Sequence, residues 1–273
     1  MTTPLPFEPD GDDRLIGRVL SRREVLALFG VSGVALAAAA CAPGTAATGA
    51  AGATGAAASA PASAAGASAT AVAVAGGLPS CVVVPELTEG PYYVDEHLER
   101  ADIRVDTATG TPVAGTPLKL DWVVSMVDGN ACAPLEGVLV DVWHCNATGV
   151  YSDVQGSEGH DFLRGYQHTD ANGKATITTV YPGWYQGRAV HIHFKIRTDP
   201  TASSGFEFTS QLFFDEAVNS AVFAQGVYAA KGNADVPNAS DGIFQQSPGM
   251  TLLTPTPDGD GYAATFELAV NAA

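Results

Sequence analysis

Leu118-Lys119-Leu120-Asp121-Trp122-Val123-Val124-Ser125-Met126 sets Leu118, Leu120, Trp122, Val124 and Met126 on one side of an extended backbone, against Lys119, Asp121 and Ser125. Side chains alternate across a strand, so a period of two marks a strand with one buried face. The pattern recurs outward from this stretch. Val138, Val140 and Val142 share a face in the next apolar run, and Tyr262, Ala264, Phe266, Leu268 and Val270 share one near the end of the chain. Turn sequences separate the runs: Val127-Asp128-Gly129-Asn130, Asp170-Ala171-Asn172-Gly173 and Pro257-Asp258-Gly259-Asp260-Gly261. Only Glu216 to Gln225 reads as a helix. Short strands with frequent turns predict an all-β fold, an antiparallel β-sandwich with long loops and little helix.

Composition sets the outer bounds. The chain has 273 residues, 46% of them hydrophobic and 15% charged, with 13 Lys plus Arg against 29 Asp plus Glu. A formal net charge of −16 repels a phosphate backbone and excludes nucleic acid as the natural partner. The four cysteines include no Cys-x-x-Cys pair, which argues against a zinc ribbon or a thioredoxin-like redox site.

Residues 1–41 read as a targeting segment. Arg14, Arg18, Arg22 and Arg23 precede an uncharged apolar run from Val25 to Ala40, the order of a signal peptide's basic and hydrophobic regions. Ser21-Arg22-Arg23-Glu24-Val25-Leu26 is similar to the twin-arginine export motif, and Ala38-Ala39-Ala40-Cys41 resembles a bacterial lipobox with Ala38 where leucine is usual. The expectation is an exported protein, held at the membrane by a lipid anchor on Cys41 or else secreted. Residues 42–80 are nearly all Ala, Gly, Ser, Thr and Pro and cannot bury a core, so they read as a disordered tether of about 34 Å root-mean-square span. No charged residue lies between Glu24 and Glu86, and the composition changes near Cys81, which opens a folded domain over residues 81–273. In an exported domain Cys81, Cys132 and Cys145 suggest one bridge with one thiol left over. The sequence leaves the pairing among the three open; a bridge to Cys145 would tie the N-terminal segment or the Cys132 loop to the strand ending there.

Chemistry concentrates in one strand. Arg188-Ala189-Val190-His191-Ile192-His193-Phe194-Lys195-Ile196 puts Val190, Ile192, Phe194 and Ile196 on one face and two imidazoles on the other. His-x-His alone is half of a metal site. Tyr181-Pro182-Gly183-Trp184-Tyr185 precedes it by a turn that can fold Tyr185 back over the strand, and Tyr151 follows another strand end. Two phenolates joined to two imidazoles form a hard, anionic donor set that favours Fe(III) over Zn(II) or Cu(I).

Four blocks, in order, resemble the intradiol ring-cleavage dioxygenases. They are Thr88-Glu89-Gly90-Pro91-Tyr92-Tyr93, the run from Val140-Asp141-Val142-Trp143-His144 to Gly149-Val150-Tyr151, the run from Tyr181 to His193, and Ser210-Gln211-Leu212-Phe213. The resemblance covers Cys81 to about Asp215 and implies a β-sandwich. It implies one non-haem Fe(III) per chain held by Tyr151, Tyr185, His191 and His193. Arg188 and Gln211 would face the bound ring, and Tyr92, Tyr93 and Trp184 would line the substrate pocket. The implied substrates are a small aromatic diol of the catechol type and O2. The diol binds as a dianion that displaces Tyr185, and the ring opens between the hydroxyl-bearing carbons to a cis,cis-muconate. Only five residues separate Tyr185 from His191, where better-known cytoplasmic members carry a longer insertion, which implies a more open pocket. The alternatives are a non-catalytic β-sandwich lipoprotein that binds a ligand or iron, and a zinc or copper hydrolase. His144 is expected to be structural, and His97, His160 and His168 to lie in polar loops.

Overall fold

The computed structural model describes residues 81–271 apart from 129–130, 155 and 199–204. The expected leader (1–41), its Cys41 and the tether (42–80) lie outside the described residues. In chain order the elements are β1 (Val105–Asp106), β2 (Thr111–Pro112), β3 (Pro117–Asp128), β4 (Ala131–Pro134), β5 (Leu139–Trp143), β6 (Arg164–His168), β7 (Lys174–Val180), β8 (His191–Arg197), β9 (Glu207–Phe214), α1 (Glu216–Phe223), β10 (Leu252–Leu253), β11 (Thr256–Asp258) and β12 (Gly261–Val270).

Two sheets form. One has the order β10-β9-β8-β5-β6, the other the order β11-β12-β3-β4 with β7 also on β3, and β1 pairs β2 in a ribbon. The strand predicted from residues 118–126 lies inside the second sheet, where β7 pairs with its first half and β4 with its end. The all-β, largely antiparallel architecture is interrupted at two pairs. β12 runs parallel to β3, from Tyr262 opposite Leu118 to Val270 opposite Met126, and β10 runs parallel to β9. A parallel neighbour requires a crossover rather than a hairpin, and the long excursion through the other sheet before β12 supplies it.

The two sheets bury one core between them. Leu118, Leu120, Trp122, Val124, Phe266 and Leu268 from one sheet meet Val140, Val142, Ile192, Phe194, Ile196 and Leu212 from the other. Trp122 sits at the centre, its ring 5.0 Å from Phe194 and 5.7 Å from Phe266. At about 1.5–3 kcal/mol for each large apolar side chain removed from water, this layer carries the stability that a low disulfide count cannot.

The disulfide joins Cys81 to Cys132, so it ties the start of the described domain to β4; Cys145 is free and buried. Of the pairings the sequence leaves open, this one spares Cys145, which lies just past the end of β5 and packs with Trp143 and Tyr151. Helix α1 falls inside the predicted Glu216 to Gln225, opened by Asp215, whose Oδ1 accepts from the N–H of Ala217 and Val218. His144 is buried between the Cys145 carbonyl and the Thr179 hydroxyl. His168 ends β6 rather than lying in a loop, with Nδ1 3.3 Å from the Gly137 carbonyl.

Candidate metal centre

The two faces of β8 differ in character. Val190, Ile192, Phe194 and Ile196 enter the core, which turns His191, His193, Lys195 and Arg197 to the opposite face of the sheet. Those four polar side chains would be solvated on a bare sheet, yet each is at most 7% exposed. Loops cover them. His193 lies beside Trp143 of β5 and Gln211 of β9 in the ladder, and the Trp143 ring stacks on its imidazole at 5.1 Å. Gly90 of the segment 88–95 packs against the other side: a Cβ there would stand 3.2 Å from His193 Cε1, at a backbone φ of +75°.

Two further loops bring the tyrosines. Asn146 Oδ1 accepts from the N–H groups of Thr148 and Val150, folding the turn that ends at Tyr151. The turn that ends at Tyr185 lies directly against it, with the Gly183 N–H donating to the Asn146 carbonyl. No side chain fits between them, since a Cβ on Gly183 would meet the Asn146 and Ala147 carbonyl oxygens at 2.4 and 2.6 Å. The sequence therefore specifies the spacing of the two phenols through a glycine.

Four donors converge as a result. His191 Nε2 lies 3.0 Å from His193 Nε2, 3.3 Å from Tyr185 Oη and 3.5 Å from Tyr151 Oη. His191 Nδ1 donates to the Ala189 carbonyl at 2.7 Å, an assignment that leaves Nε2 as the lone-pair nitrogen. Burial pushes both imidazoles well below the usual histidine range, and the Arg188 charge adds to it. They are neutral imidazoles. Burial likewise pushes both phenols well above the ordinary tyrosine value, so a phenolate here requires a cation beside its oxygen. His193 Nδ1 is buried without a hydrogen-bond partner among the described residues. Two neutral imidazole nitrogens and two phenol oxygens around one point fit a hard trivalent iron ion. Among the described residues no group of three or more His, Cys, Asp or Glu side chains is placed to hold a metal ion.

Tyr92 and Tyr93 separate cleanly. The Tyr92 ring lies on Tyr151 at 4.6 Å and edge-on to Tyr185 at 5.8 Å, so it faces the cluster. Tyr93 turns along the sheet onto Trp143, with Lys195 Nζ 4.0 Å above its ring and its hydroxyl donating to Asp141. Trp184 stands at the margin of the sandwich core, its indole N–H on the Gly232 carbonyl and Lys231 over its ring. Arg188 and Gln211 are joined: Arg188 Nη2 donates to Gln211 Oε1 at 2.6 Å, and Gln211 Nε2 donates to the Thr88 carbonyl.

Several supporting residues stand outside the four sequence blocks or went unread within them. Arg164 is 2% exposed and donates to the carbonyls of Tyr92 and Ser152, clamping the Tyr92 segment to the residue after Tyr151. Lys195 pairs with Glu89 and Glu207, and Arg197 with Asp95 and Asp141, fixing both ends of the same segment. Asp241 holds Arg188 Nε at 2.9 Å. A charge in the middle of an apolar strand, such as Asp141, was the available signal for such pairs; Asp241 had none.

A family model described as "Dioxygenase" matches residues 88–236, more than half of the chain and all of the tyrosine and histidine donors. The chain belongs to the intradiol ring-cleavage dioxygenases. Among solved structures it is similar to an intradiol ring-cleavage dioxygenase from Tetranychus urticae, at 29% identity, covering 70% of this chain and 95% of that one with a TM-score of 0.58. Chlorocatechol 1,2-dioxygenase of Pseudomonas sp. (strain P51) is 32% identical over 117 residues, 36% of this chain and 44% of the relative. Catechol 1,2-dioxygenase 1 of Acinetobacter lwoffii is 29% identical over 140 residues, 42% of each chain. The match thus spans less than half the length of each of these two curated relatives.

Proposed function

We propose that this protein cleaves catechol-type rings with O2 in the intradiol manner, using one ferric ion held by Tyr151, Tyr185, His191 and His193. The observation that carries the reading is the convergence of two phenols and two neutral imidazoles beside a half-buried arginine and a buried glutamine. A bound ferric ion would supply the redox-active Lewis acid that makes a chelated catechol reactive toward O2. The protein's own groups do the rest. As a phenolate, Tyr185 would take one of the diol's two protons at Oη and a hydroxide would take the other, so no further side-chain base is needed. Arg188 presents fixed positive charge to the ring as negative charge develops, a preorganised role of the kind that dominates many active sites. Tyr92 lies over the Tyr151 ring and would shield that side of the cluster from water.

The leader sequence supports an extracytoplasmic setting. The twin-arginine-like segment, the lipobox-like end at Cys41 and the tether over 42–80 would place the domain 81–273 outside the membrane, and the twin-arginine route carries proteins already folded around their metal. A non-catalytic iron-binding module has no use for the Arg188 and Gln211 pair. The test is ligand replacement: Tyr151→Phe and His193→Ala are expected to lose stoichiometric iron and catechol cleavage together. Full iron content with normal turnover in either variant refutes the ligand set.

A further inference from the structure

Arg188 has a partner that the family match does not reach. Asp241 lies beyond residue 236, where that match ends, between the 3₁₀ turns Asn238–Ser240 and Phe244–Gln246. Asp241 is 2% exposed, and both of its carboxylate oxygens are engaged. Oδ1 accepts from the N–H groups of Ile243 at 2.9 Å and Phe244 at 3.0 Å, an ordinary turn cap. Oδ2 is turned the other way, accepting Arg188 Nε at 2.9 Å and the Ala189 N–H at 2.9 Å. A capping aspartate needs only the first pair of bonds. The second pair brings a buried carboxylate to the base of the arginine that stands beside the phenols and imidazoles, in the short segment that leads into His191.

The arrangement fixes a flexible group from two sides. Arginine carries about 2 kcal/mol of rotamer entropy and would sample several positions on a bare strand end. Asp241 holds the guanidinium at Nε and Gln211 holds it at Nη2, while the Ala189 carbonyl in turn receives His191 Nδ1. A charge-assisted bond in a buried setting is among the stronger ones available to a protein.

We propose that Asp241 is a positioning residue, whose carboxylate sets the Arg188 guanidinium against the phenol and imidazole cluster. The inference rests on the reading of Arg188 as the group that faces the substrate ring.

Two variants separate positioning from folding. Asp241→Asn keeps one oxygen for the turn but presents an amide donor to Arg188, and Asp241→Ser keeps a capping hydroxyl with no acceptor in reach of the guanidinium. In the iron-loaded protein each is expected to lower kcat for catechol by about 10- to 100-fold with KM changed less than about threefold. In an Arg188→Ala background the same changes are expected to alter kcat by less than about twofold, since neighbours that act through one group are not additive. Crystal structures of the two variants are expected to show the guanidinium displaced. Additive losses in the double variants, or a guanidinium that stays in place, overturn the proposal. A parent protein that binds iron and cleaves no catechol refutes the proposed function instead, and the variant structures still decide whether Asp241 sets Arg188.

Discussion

Gly183→Ala tests how the site is assembled. A methyl group there would stand 2.4 Å from the Asn146 carbonyl oxygen and 2.6 Å from that of Ala147. Both obstacles are backbone, so no rotamer change relieves them, and the loops ending at Tyr151 and Tyr185 must part by roughly half an ångström. Overpacking of this kind costs about 1–3 kcal/mol. The larger effect falls on chemistry, because displacement of a reacting group by about 1 Å lowers rate by about 100-fold. Urea unfolding is expected to show a midpoint lowered in proportion to that cost with an unchanged slope. Catechol turnover is expected to fall at least tenfold, with weakened iron retention against a chelator. A variant with the parent's midpoint, iron retention and turnover would show that contact between the two loops does not set the phenol spacing.

Asp141 gives a pH signature away from the four phenol and imidazole donors. Its pKa is raised to about 6, first by burial and with the Asp95 charge adding, while Arg197 opposes and is already engaged by Asp95. A carboxyl bound more tightly to its proton in the folded state stabilises below the unfolded pKa of about 3.8, and that stability is lost as pH rises through about 6. Asp141→Asn is therefore expected to remove about 2 kcal/mol of stability loss between pH 4 and pH 7, measured by urea titration at each pH. Equal slopes for parent and variant would contradict the assignment. Cys41→Ala is expected to move the protein from the membrane fraction to the soluble extracytoplasmic fraction; retention in the membrane equal to the parent's excludes the lipid anchor.

Local pattern and long-range geometry were legible to different degrees. The alternation in residues 118–126 and 190–196 led straight to β3 and β8, because one buried face imposes the period along the strand itself. Strand direction was not legible. Nothing in residues 261–270 distinguishes a parallel from an antiparallel neighbour, and the pairing of β12 with β3 is decided by the path of the chain between them. The four donors were legible by their order and by resemblance, whereas their spacing depends on Gly183 and Gly90, whose close contacts are made across loops. The polar frame was half legible. Lys195 and Arg197 share the histidine face of β8, and charges on a face that must be buried require partners. Asp241, far along the chain in a turn, looked like any other turn residue.

The proposed chemistry stands on a ferric site that chelates a diol. The direct measurement is the metal content and visible spectrum of the purified full-length protein, before and after anaerobic addition of catechol. One iron per chain is expected, with a tyrosinate charge-transfer band that colours the protein and that shifts on addition of catechol. A protein that stays colourless after reconstitution with ferric iron, or whose band is unmoved by saturating catechol, would contradict that chemistry.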